Sequence, residues 1–387
     1  MDAQLVQFAT VRQLELLKAV EKYGSNNKAA KALGLQRRTV DHALQSLRAK
    51  AAFHGVAPGL AGMNGQLSGV EVLKGRSIYF DVTKGVAEKV WIKTDVDAER
   101  RAKLLQAAHE ALADDLRGLA PLVAPPEGRA SDLMTVIPMG DPHFGMYAWA
   151  KETGDNFDTE TAKRLTLGAV DRLLSVTPNS DTCVILPLGD VFHANDQTNQ
   201  TPAHKNPLDV DTRFVRVLQI GIQAYRQAVL RALERHRKVI VKFVAGNHDP
   251  QAIWALAFSI AAYFDQEPRV RVDLDPGKFW FLQFGKVLIG ATHGDTVKPE
   301  ALEGVMAADM PAEWGKTKHR YWYTGHIHSS NKKEFRGCTW ESFRTLAAQD
   351  AYAAGHGYRA GRDMLAIIHH REHGEIERHR CDVGMLA

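Results

Sequence analysis

Cysteine is scarce in this sequence. Only Cys183, Cys338 and Cys381 occur, and no two of them stand in a CxxC spacing. We therefore expect neither a disulfide framework nor a cysteine zinc site, which favours a reducing, cytoplasmic compartment. Long apolar runs are also lacking, so the sequence predicts no membrane-spanning segment and no membrane partner. The first residues contain neither the basic nor the apolar region of a signal peptide.

Net charge is small, at +4 over 387 residues, but it is unevenly distributed. Residues 1–51 contain nine Lys or Arg and four acidic residues, a net charge of +5, which leaves −1 for the remainder. A basic head on a nearly neutral body indicates a polyanionic partner, such as DNA or another nucleic acid. The length allows a large core together with a smaller additional domain.

The basic head, residues 1–51, predicts three short helices, at 10–23, at 27–33 and from about residue 36. Its segment 28–35, Lys-Ala-Ala-Lys-Ala-Leu-Gly-Leu, resembles the turn of bacterial DNA-binding helix-turn-helix domains. The alternative is a three-helix bundle that contacts another protein. Under the DNA-binding interpretation the third helix supplies four outward-facing candidate contacts: Arg37, Arg38, Thr39 and His42.

Residues 52–130 predict a connecting module. Residues 52–70 are rich in Gly and Ala and indicate a flexible link, and 70–94 predict two or three antiparallel strands. A helix is expected at about 97–119, before a proline-rich boundary. The predicted domains are therefore 1–51, 52–130 and 131–387, and the middle one suggests no function.

The body, residues 131–387, contains five predicted strands that each end in polar side chains. The side chains at these ends are Asp141 and His143, Asp190, Asn247 with His248 and Asp249, His293, and His326 with His328. Because ligands bind beyond the carboxyl ends of the strands in open α/β sheets, we expect these groups to converge.

These strand ends offer two carboxylates, one amide oxygen and four imidazoles besides His248 and Asp249. An N/O donor set without thiolate suits Mn, Fe or Zn and differs from a calcium cage. Seven donors exceed the needs of one tetrahedral ion but suit two divalent ions that share a carboxylate, with Mn the first expectation. Such a pair can activate water for in-line displacement at phosphorus.

The five motifs, in this order over residues 133–330, resemble those of calcineurin-like metallophosphoesterases. The resemblance implies an α/β fold, a sandwich of two mixed β-sheets flanked by helices. It also implies that Asp141, His143, Asp190 and His328 hold one metal, and that Asn247, His293 and His326 hold the other, with Asp190 shared. His248 would be the proton donor or transition-state stabiliser, and Asp249 would orient it.

Two motifs indicate which subfamily the sequence resembles. The segments Asp141-Pro-His-Phe-Gly and Gly189-Asp-Val-Phe-His-Ala-Asn are similar to those of SbcD-like DNA repair nucleases. That similarity implies that His193 lies beside the scissile phosphate. We see no long C-terminal region for docking a coiled-coil ATPase, and therefore expect no ATPase partner. Phage or prophage proteins that join a DNA-binding head to such a phosphoesterase fit by analogy.

The sequence thus predicts a metal-dependent phosphodiesterase that acts on nucleic acid, with a DNA nuclease as the first interpretation. One alternative is a phosphatase or small-nucleotide phosphodiesterase, and another is a DNA-binding regulator with an inactive phosphoesterase body. Metal identity, exonuclease or endonuclease mode, DNA or RNA preference and oligomeric state, including a homodimer, stay open.

Three further expectations concern side chains outside the motifs. The histidines near the C-terminus, His369 among them, are expected to be exposed in a polar tail. The aromatic residues of the segment 321–323 and Trp314 are expected in the core rather than stacked on bases. The polar loop 193–209 is expected to form a lid or a substrate wall.

Overall fold

The structure is a computed structural model that describes residues 3–53, 71–81, 86–96, 116–128 and 130–386. The chain divides into two compact units, Met1–Leu116 and Arg117–Ala387. The predicted link at 52–70 and most of the helix predicted at 97–119 lie outside the described residues. Among the described helices, none combines the length and the apolar character that a membrane span requires.

The basic head contains the three expected helices, preceded by one short turn of helix. Their bounds are Ala3–Val6, Val11–Tyr23, Asn26–Ala32 and Arg37–Phe53. The first long helix begins with a capping box, in which the Thr10 hydroxyl accepts from the Gln13 backbone N–H and the Gln13 side chain accepts from the Thr10 N–H. It ends at Gly24, whose φ of 75° is the left-handed conformation that favours glycine.

The core of the head confirms the predicted helix faces. Val40 and Leu44 are buried against Leu16 and Ala30, and the four candidate DNA contacts from Arg37 to His42 are exposed. DNA binding by this face stays a prediction. Further along this unit, β1 (Glu71–Asp81) and β2 (Val86–Val96) form the expected antiparallel pair.

The second unit contains two β-sheets. The six-stranded sheet has the order β13-β12-β3-β4-β5-β6, and the five-stranded sheet has the order β10-β11-β9-β8-β7. The strands are β3 (Ala130–Met139), β4 (Ser180–Pro187), β5 (Lys238–Lys242), β6 (Val270–Asp273), β7 (Trp280–Phe284), β8 (Val287–Ala291), β9 (His319–Thr324), β10 (Asn331–Glu334), β11 (Thr339–Ser342), β12 (Asp363–His370) and β13 (Gly374–Asp382).

Both sheets are mixed. Strands β3 to β6 run parallel, and β12 pairs antiparallel with β3 and with β13. In the second sheet β8, β9 and β11 run parallel, while β7 and β10 are antiparallel edge strands. The parallel strands at the centre of each sheet are apolar and buried, as expected for strands covered on both faces.

The two sheets pack face to face. Val184 and Leu186 of one sheet share a core with Ile289 and Tyr323 of the other. Helices cover the outer faces, with Leu302 and Met306, for example, packed on Trp322. The helices are Ala150–Thr153, Thr159–Val176, Phe214–Arg235, Ala252–Tyr263, Pro299–Asp309, Pro311–Lys316 and Ala351–Gly355, followed by the 3-10 turn Val383–Met385. This arrangement confirms the predicted α/β fold of two mixed sheets flanked by helices.

One expectation about the C-terminus is wrong. Residues 363–382 form the hairpin β12–β13 at the edge of the six-stranded sheet, rather than an exposed polar tail. His369 is fully buried, and its Nε2 lies 2.8 Å from the Tyr323 hydroxyl. Burial lowers the pKa of His369 to about 3. The expectation for the aromatic segment is confirmed, since Trp322 and Tyr323 are fully buried.

Candidate metal centre

Five strand ends meet at one edge of the sandwich. The strands β3, β4 and β5 are parallel neighbours in one sheet, and β8 and β9 are parallel neighbours in the other. Hydrogen bonds join the loops that follow them: the His326 N–H donates to both oxygens of Asp141, and the His248 N–H donates to Asp190 Oδ1. The predicted convergence of side chains therefore occurs.

Unusual backbone conformations occur in three of the five ligand loops, those that follow β3, β4 and β9. Five candidate ligands have positive φ angles, between 43° and 68°. They are Asp141, His143, Asp190, His326 and His328. Such conformations are uncommon for residues other than glycine, and they cluster at functional sites where the surrounding structure enforces them.

The first cluster of donors consists of Asp141, His143 and His328, whose ligand atoms lie within 4.8 Å of one another. The Nε2 atoms of His143 and His328 are 3.2 Å apart, and His328 Nε2 lies 3.6 Å from Asp141 Oδ1. Asp141 and His143 are buried, so nearby protein groups rather than solvent must satisfy their polar atoms.

The second cluster consists of Asp190, His293 and His326, again with ligand atoms within 4.8 Å. Asn247 adjoins it, because its Oδ1 lies 2.9 Å from His293 Nε2. These two clusters bring together all seven residues predicted as metal ligands. The structure places Asp190 in the second cluster, and its sharing between two ions stays a prediction.

The tautomer of His293 tests whether a cation fits the second cluster. His293 Nδ1 lies 2.8 Å from the Leu188 carbonyl oxygen, so Nδ1 carries the proton. In the neutral ring the lone pair of Nε2 would point at two further acceptors, Asn247 Oδ1 at 2.9 Å and Asp190 Oδ2 at 3.2 Å. Three acceptors that face one another require a proton or a metal ion between them.

The donor spacing also suits a metal ion. Metal–nitrogen and metal–oxygen bonds of roughly 2.0–2.2 Å place neighbouring ligand atoms about 2.8–3.1 Å apart in octahedral geometry and about 3.3–3.6 Å apart in tetrahedral geometry, roughly 2.8–3.6 Å in all. The contacts of 3.2 Å between His143 and His328 and between His293 and Asp190 fall in this range. The clusters therefore fit two divalent metal ions.

The electrostatics of the two clusters support the same conclusion. Burial lowers the pKa of His293, but the carboxylates of Asp190 and Asp141 outweigh burial and raise that pKa to about 10. This pocket thus attracts a positive charge. Burial and the neighbouring imidazoles hold the pKa of His143 well below its usual range, which keeps its ring neutral, as metal ligation requires.

Glycine at position 246 allows the loops to approach each other closely. A Cβ added at Gly246 would lie 2.0 Å from Asp190 Oδ1 and 2.2 Å from the Asp190 backbone nitrogen. No side chain larger than hydrogen fits there without moving Asp190. The backbone turn after β5 and the placement of the Asp190 carboxylate therefore depend on the same residue.

The predicted role of Asp249 is wrong. Its carboxylate is fully buried and accepts from the backbone N–H groups of Phe192 and Gly246 at 3.0 Å each. It therefore holds the β4 and β5 loops together instead of orienting His248. His248 Nδ1 lies 2.8 Å from the His193 carbonyl oxygen, so the backbone of residue 193 orients the imidazole.

His193 adjoins the first cluster, and its predicted place beside the scissile phosphate stays a prediction. Its ring stacks on that of His248, with centroids 5.3 Å apart, and its Nδ1 lies 3.3 Å from His143 Nδ1. Burial and the nearby His248 lower the pKa of His193 to about 3. Its buried Nε2 has no hydrogen-bond partner within the described ranges and is available to a ligand atom.

Sequence reasoning missed two residues that position the ligands. The Thr345 hydroxyl donates to the Asp141 carbonyl oxygen at 2.6 Å and fixes the first ligand loop. The Asn195 Oδ1 accepts from the N–H groups of Gln251 and Ala252, which ties the loop after His193 to the start of the helix Ala252–Tyr263. Nothing marks Thr345 in the sequence, whereas Asn195 ends the Gly-Asp-Val-Phe-His-Ala-Asn segment that begins at Gly189.

Neither a protein-family model nor a curated protein matches the chain. Among solved structures it is similar to a conserved uncharacterized protein from Streptococcus pneumoniae, described as a predicted phosphoesterase (12% identity, TM-score 0.26, covering 65% of this chain and 99% of that one). It is also similar to Vps29 complexed with zinc from Entamoeba histolytica (14% identity, TM-score 0.28, covering 64% of this chain and 99% of that one). A third similar structure is an archaeal phosphodiesterase (12% identity, TM-score 0.33, covering 64% of this chain and 99% of that one). TM-scores below 0.5 do not establish a shared fold, so the assignment of this site rests on its own residues.

Proposed function

We propose that this chain is a calcineurin-like metallophosphoesterase that hydrolyses phosphodiester bonds in nucleic acid, with DNA as the first substrate. The observation that carries the proposal is the pair of adjoining N/O clusters, at five strand ends of a two-sheet sandwich. Five of their residues have left-handed backbone conformations, and the acceptors around His293 Nε2 call for a cation.

Two divalent ions bound by these clusters would activate a water nucleophile and neutralise charge on the phosphate. The residues of the chain provide the remaining positioning. The His248 Nδ1–H donates a hydrogen bond to the His193 carbonyl oxygen, so Nε2 is the ring nitrogen that can face the substrate. In its protonated form, Nε2 can donate to the leaving oxygen or to a phosphate oxygen in the transition state. His193 Nε2, buried and without a partner among the described residues, can donate to another phosphate oxygen.

Two features favour nucleic acid over a small phosphate ester. The basic head carries a net +5 and exposes Arg37 and Arg38. The loop that begins at His193 and continues to residue 209 leaves directly from the metal centre and is long enough to contact substrate beyond one phosphate. These features support a nuclease, whereas the metal centre alone is equally compatible with a phosphatase.

A direct assay separates these activities. The purified chain is incubated with Mn, and in parallel with Zn or Fe, on labelled single-stranded and double-stranded DNA and RNA. Bis-p-nitrophenyl phosphate and p-nitrophenyl phosphate serve as a small diester and a monoester. We expect cleavage of DNA and of the small diester, most efficiently with Mn. Cleavage of the monoester alone would instead indicate a phosphatase, and no hydrolysis with any metal would indicate an inactive body.

The head is tested separately through its interaction with DNA phosphates. Arg38→Ala should weaken binding to long DNA, and the log–log salt slope should fall by about one unit if this arginine neutralises one phosphate. Arg12→Ala removes an equally exposed arginine that already pairs with Glu15 at 2.9 Å, and it serves as the control. An unchanged affinity and salt slope in Arg38→Ala would favour the protein-contact alternative for this bundle.

A further inference from the structure

Exposed aromatic rings lie on two segments that lead away from the metal centre. The aromatic residues Trp322 and Tyr323 are buried, and so cannot stack on a substrate. Besides Phe258 on the helix Ala252–Tyr263, four other aromatic side chains in the described part of the second unit are exposed. They are Tyr147, Trp149, Tyr352 and Tyr358.

The first segment follows the ligand loop of β3. Residues 146–148 are extended, since Met146 bridges to Val210 and Ala148 bridges to Phe157. Ala148 is buried, so its neighbours Tyr147 and Trp149 project together toward the opposite side, where Trp149 is 48% exposed. Tyr147 is only four residues from the ligand His143, a span of at most roughly 13 Å.

The second segment follows Thr345, whose hydroxyl is bonded to the Asp141 carbonyl. It leads into the short helix Ala351–Gly355, on which Tyr352 is 64% exposed. The His356 ring lies 4.0 Å from the Tyr352 ring at an interplanar angle of 32°, and 6.2 Å from the Tyr358 ring at 24°. The His356 ring thus lies next to both exposed tyrosine rings of this segment.

The two segments adjoin. The helix Ala351–Gly355 packs against the short helix Ala150–Thr153, which begins directly after Trp149. Arg362 reinforces the contact by donating to Asp155 at 2.8 Å and to the Leu346 carbonyl at 2.7 Å. The exposed rings therefore belong to neighbouring parts of one surface, and each part is anchored to a loop that carries metal ligands.

We propose that these rings, Tyr147, Trp149, Tyr352, His356 and Tyr358, form an aromatic shelf that stacks unpaired nucleobases of a strand held at the metal centre. This inference rests on the proposed function and names its substrate as single-stranded nucleic acid. Aromatic faces stack on any base, which gives binding without sequence preference. Cationic groups accompany the rings: Lys151 lies 5.5 Å from the Trp149 ring centroid, and Arg359 is bonded to the Ala354 and Tyr358 carbonyls.

The occupant follows from the position of the shelf. A phosphodiester held at the two clusters must continue as a strand in at least one direction. In the first segment Tyr147 is four residues from the ligand His143, and in the second Tyr352 is seven residues from Thr345, whose hydroxyl donates to the Asp141 carbonyl oxygen. The core of a protein interface, by contrast, is depleted of charged residues. Here Lys151 and Arg359 stand among the rings, a combination that suits a strand of bases and phosphates.

The test compares a normal strand with one that lacks bases. Binding of a short oligothymidylate, and of the same backbone with abasic residues, is measured by fluorescence anisotropy for the full chain in EDTA. Cleavage of both strands is measured with Mn. The variants are Trp149→Ala and Tyr352→Ala, with Trp149→Phe and Tyr352→Phe as conservative counterparts. Phe258→Ala, which removes an aromatic ring 40% exposed on the helix Ala252–Tyr263, is the matched control.

We expect each alanine variant to weaken oligothymidylate binding about 5- to 150-fold, the scale of 1–3 kcal/mol for one stacked base. Binding of the abasic strand should be weak in the wild type and unchanged by the substitutions. The phenylalanine variants and Phe258→Ala should retain most of the wild-type affinity. The shelf would be overturned if the alanine variants lost affinity equally for both strands or for neither. A change of oligomeric state without a base-dependent loss of affinity would overturn it as well.

The outcomes separate this inference from the proposed function. The protein could bind bases in a way that Trp149→Ala and Tyr352→Ala weaken and yet hydrolyse no nucleic acid. That result would support the shelf and overturn the proposed activity. Conversely, both alanine variants could cleave DNA with metal as efficiently as the wild type. That result would support the proposed activity and overturn the shelf.

Discussion

Replacing Gly246 by alanine tests whether the metal centre depends on close approach of the β4 and β5 loops. The new Cβ would lie 2.0 Å from Asp190 Oδ1 and 2.7 Å from Asp190 Cγ. Real Cβ contacts are not shorter than 3.0 Å, so the two groups must separate by about 1 Å or more. Both are held by backbone hydrogen bonds, since the Asp190 carboxylate accepts from His248 and the Gly246 N–H donates to Asp249.

A displacement of this size exceeds what metal ligation tolerates. Ligand distances in functional sites hold to about 0.2 Å, and a misplacement of 1 Å in catalytic geometry can reduce the rate about 10²-fold. Because Asp190 is the predicted shared ligand, we expect Gly246→Ala to lose both ions and at least about 10² in turnover. Overpacking should also lower the free energy of unfolding by about 1–3 kcal/mol.

The assay combines metal content after dialysis with hydrolysis of bis-p-nitrophenyl phosphate and a thermal melt. Gly304→Ala is the matched control, because a Cβ at this position in the helix Pro299–Asp309 meets nothing within 4 Å. A folded Gly246→Ala protein with two ions per chain and wild-type turnover would refute the dependence of the centre on this close approach.

Four further substitutions test individual residues. Asp190→Ala should lose both ions, whereas His328→Ala should mainly empty the first cluster; metal analysis that finds two ions in Asp190→Ala would exclude the shared ligand. His248→Ala should keep its metals and lose about 10²–10⁴ in turnover, less for a leaving group that needs no proton, and loss of metal would make His248 a ligand. Burial lowers the pKa of His369 to about 3, so the folded protein resists protonation of this ring. The free energy of unfolding should therefore keep the whole contribution of His369 above about pH 6.5 and lose up to about 5 kcal/mol as the pH falls toward 3. His369→Gln should flatten this decline in denaturant midpoints measured between pH 7 and 4, and an unchanged profile would exclude His369 as its source.

Much of the sandwich could be predicted because local sequence determines it. The strand β5, Lys238–Lys242, is a short β-branched run, and the ligand-bearing turn follows it at Gly246. The helix Thr159–Val176 begins at a local signal, because the Asp158 side chain caps it by accepting from the Thr161 N–H. Convergence of the ligands followed from the geometry of parallel strands, whose carboxyl ends share one edge.

The hairpin β12–β13 was missed because its stability is not local. Its sequence combines His369, His370 and several charged residues that resemble a solvated tail. In the structure β12 pairs with β3, more than two hundred residues earlier in the chain, and Tyr323 of the other sheet provides the partner for His369. Arg378 is neutralised by a bidentate pair with Glu341 at 2.7 and 3.0 Å. Only tertiary contacts convert these polar residues into an edge of the core.

The division of roles between His248 and Asp249 shows what a motif can and cannot predict. Adjacent residues in a turn suggest a coupled pair, yet the Asp249 side chain is directed into the protein and binds two backbone N–H groups. A carboxylate in that position holds the β4 and β5 loops at a fixed separation, which in turn presses Gly246 against Asp190. Asp249 therefore anchors the chain on both sides of this contact, through the N–H groups of Phe192 and Gly246. Preorganisation of this centre resides in the contacts between loops. For that reason the sequence could predict the ligands but not the strained backbone conformations that position them.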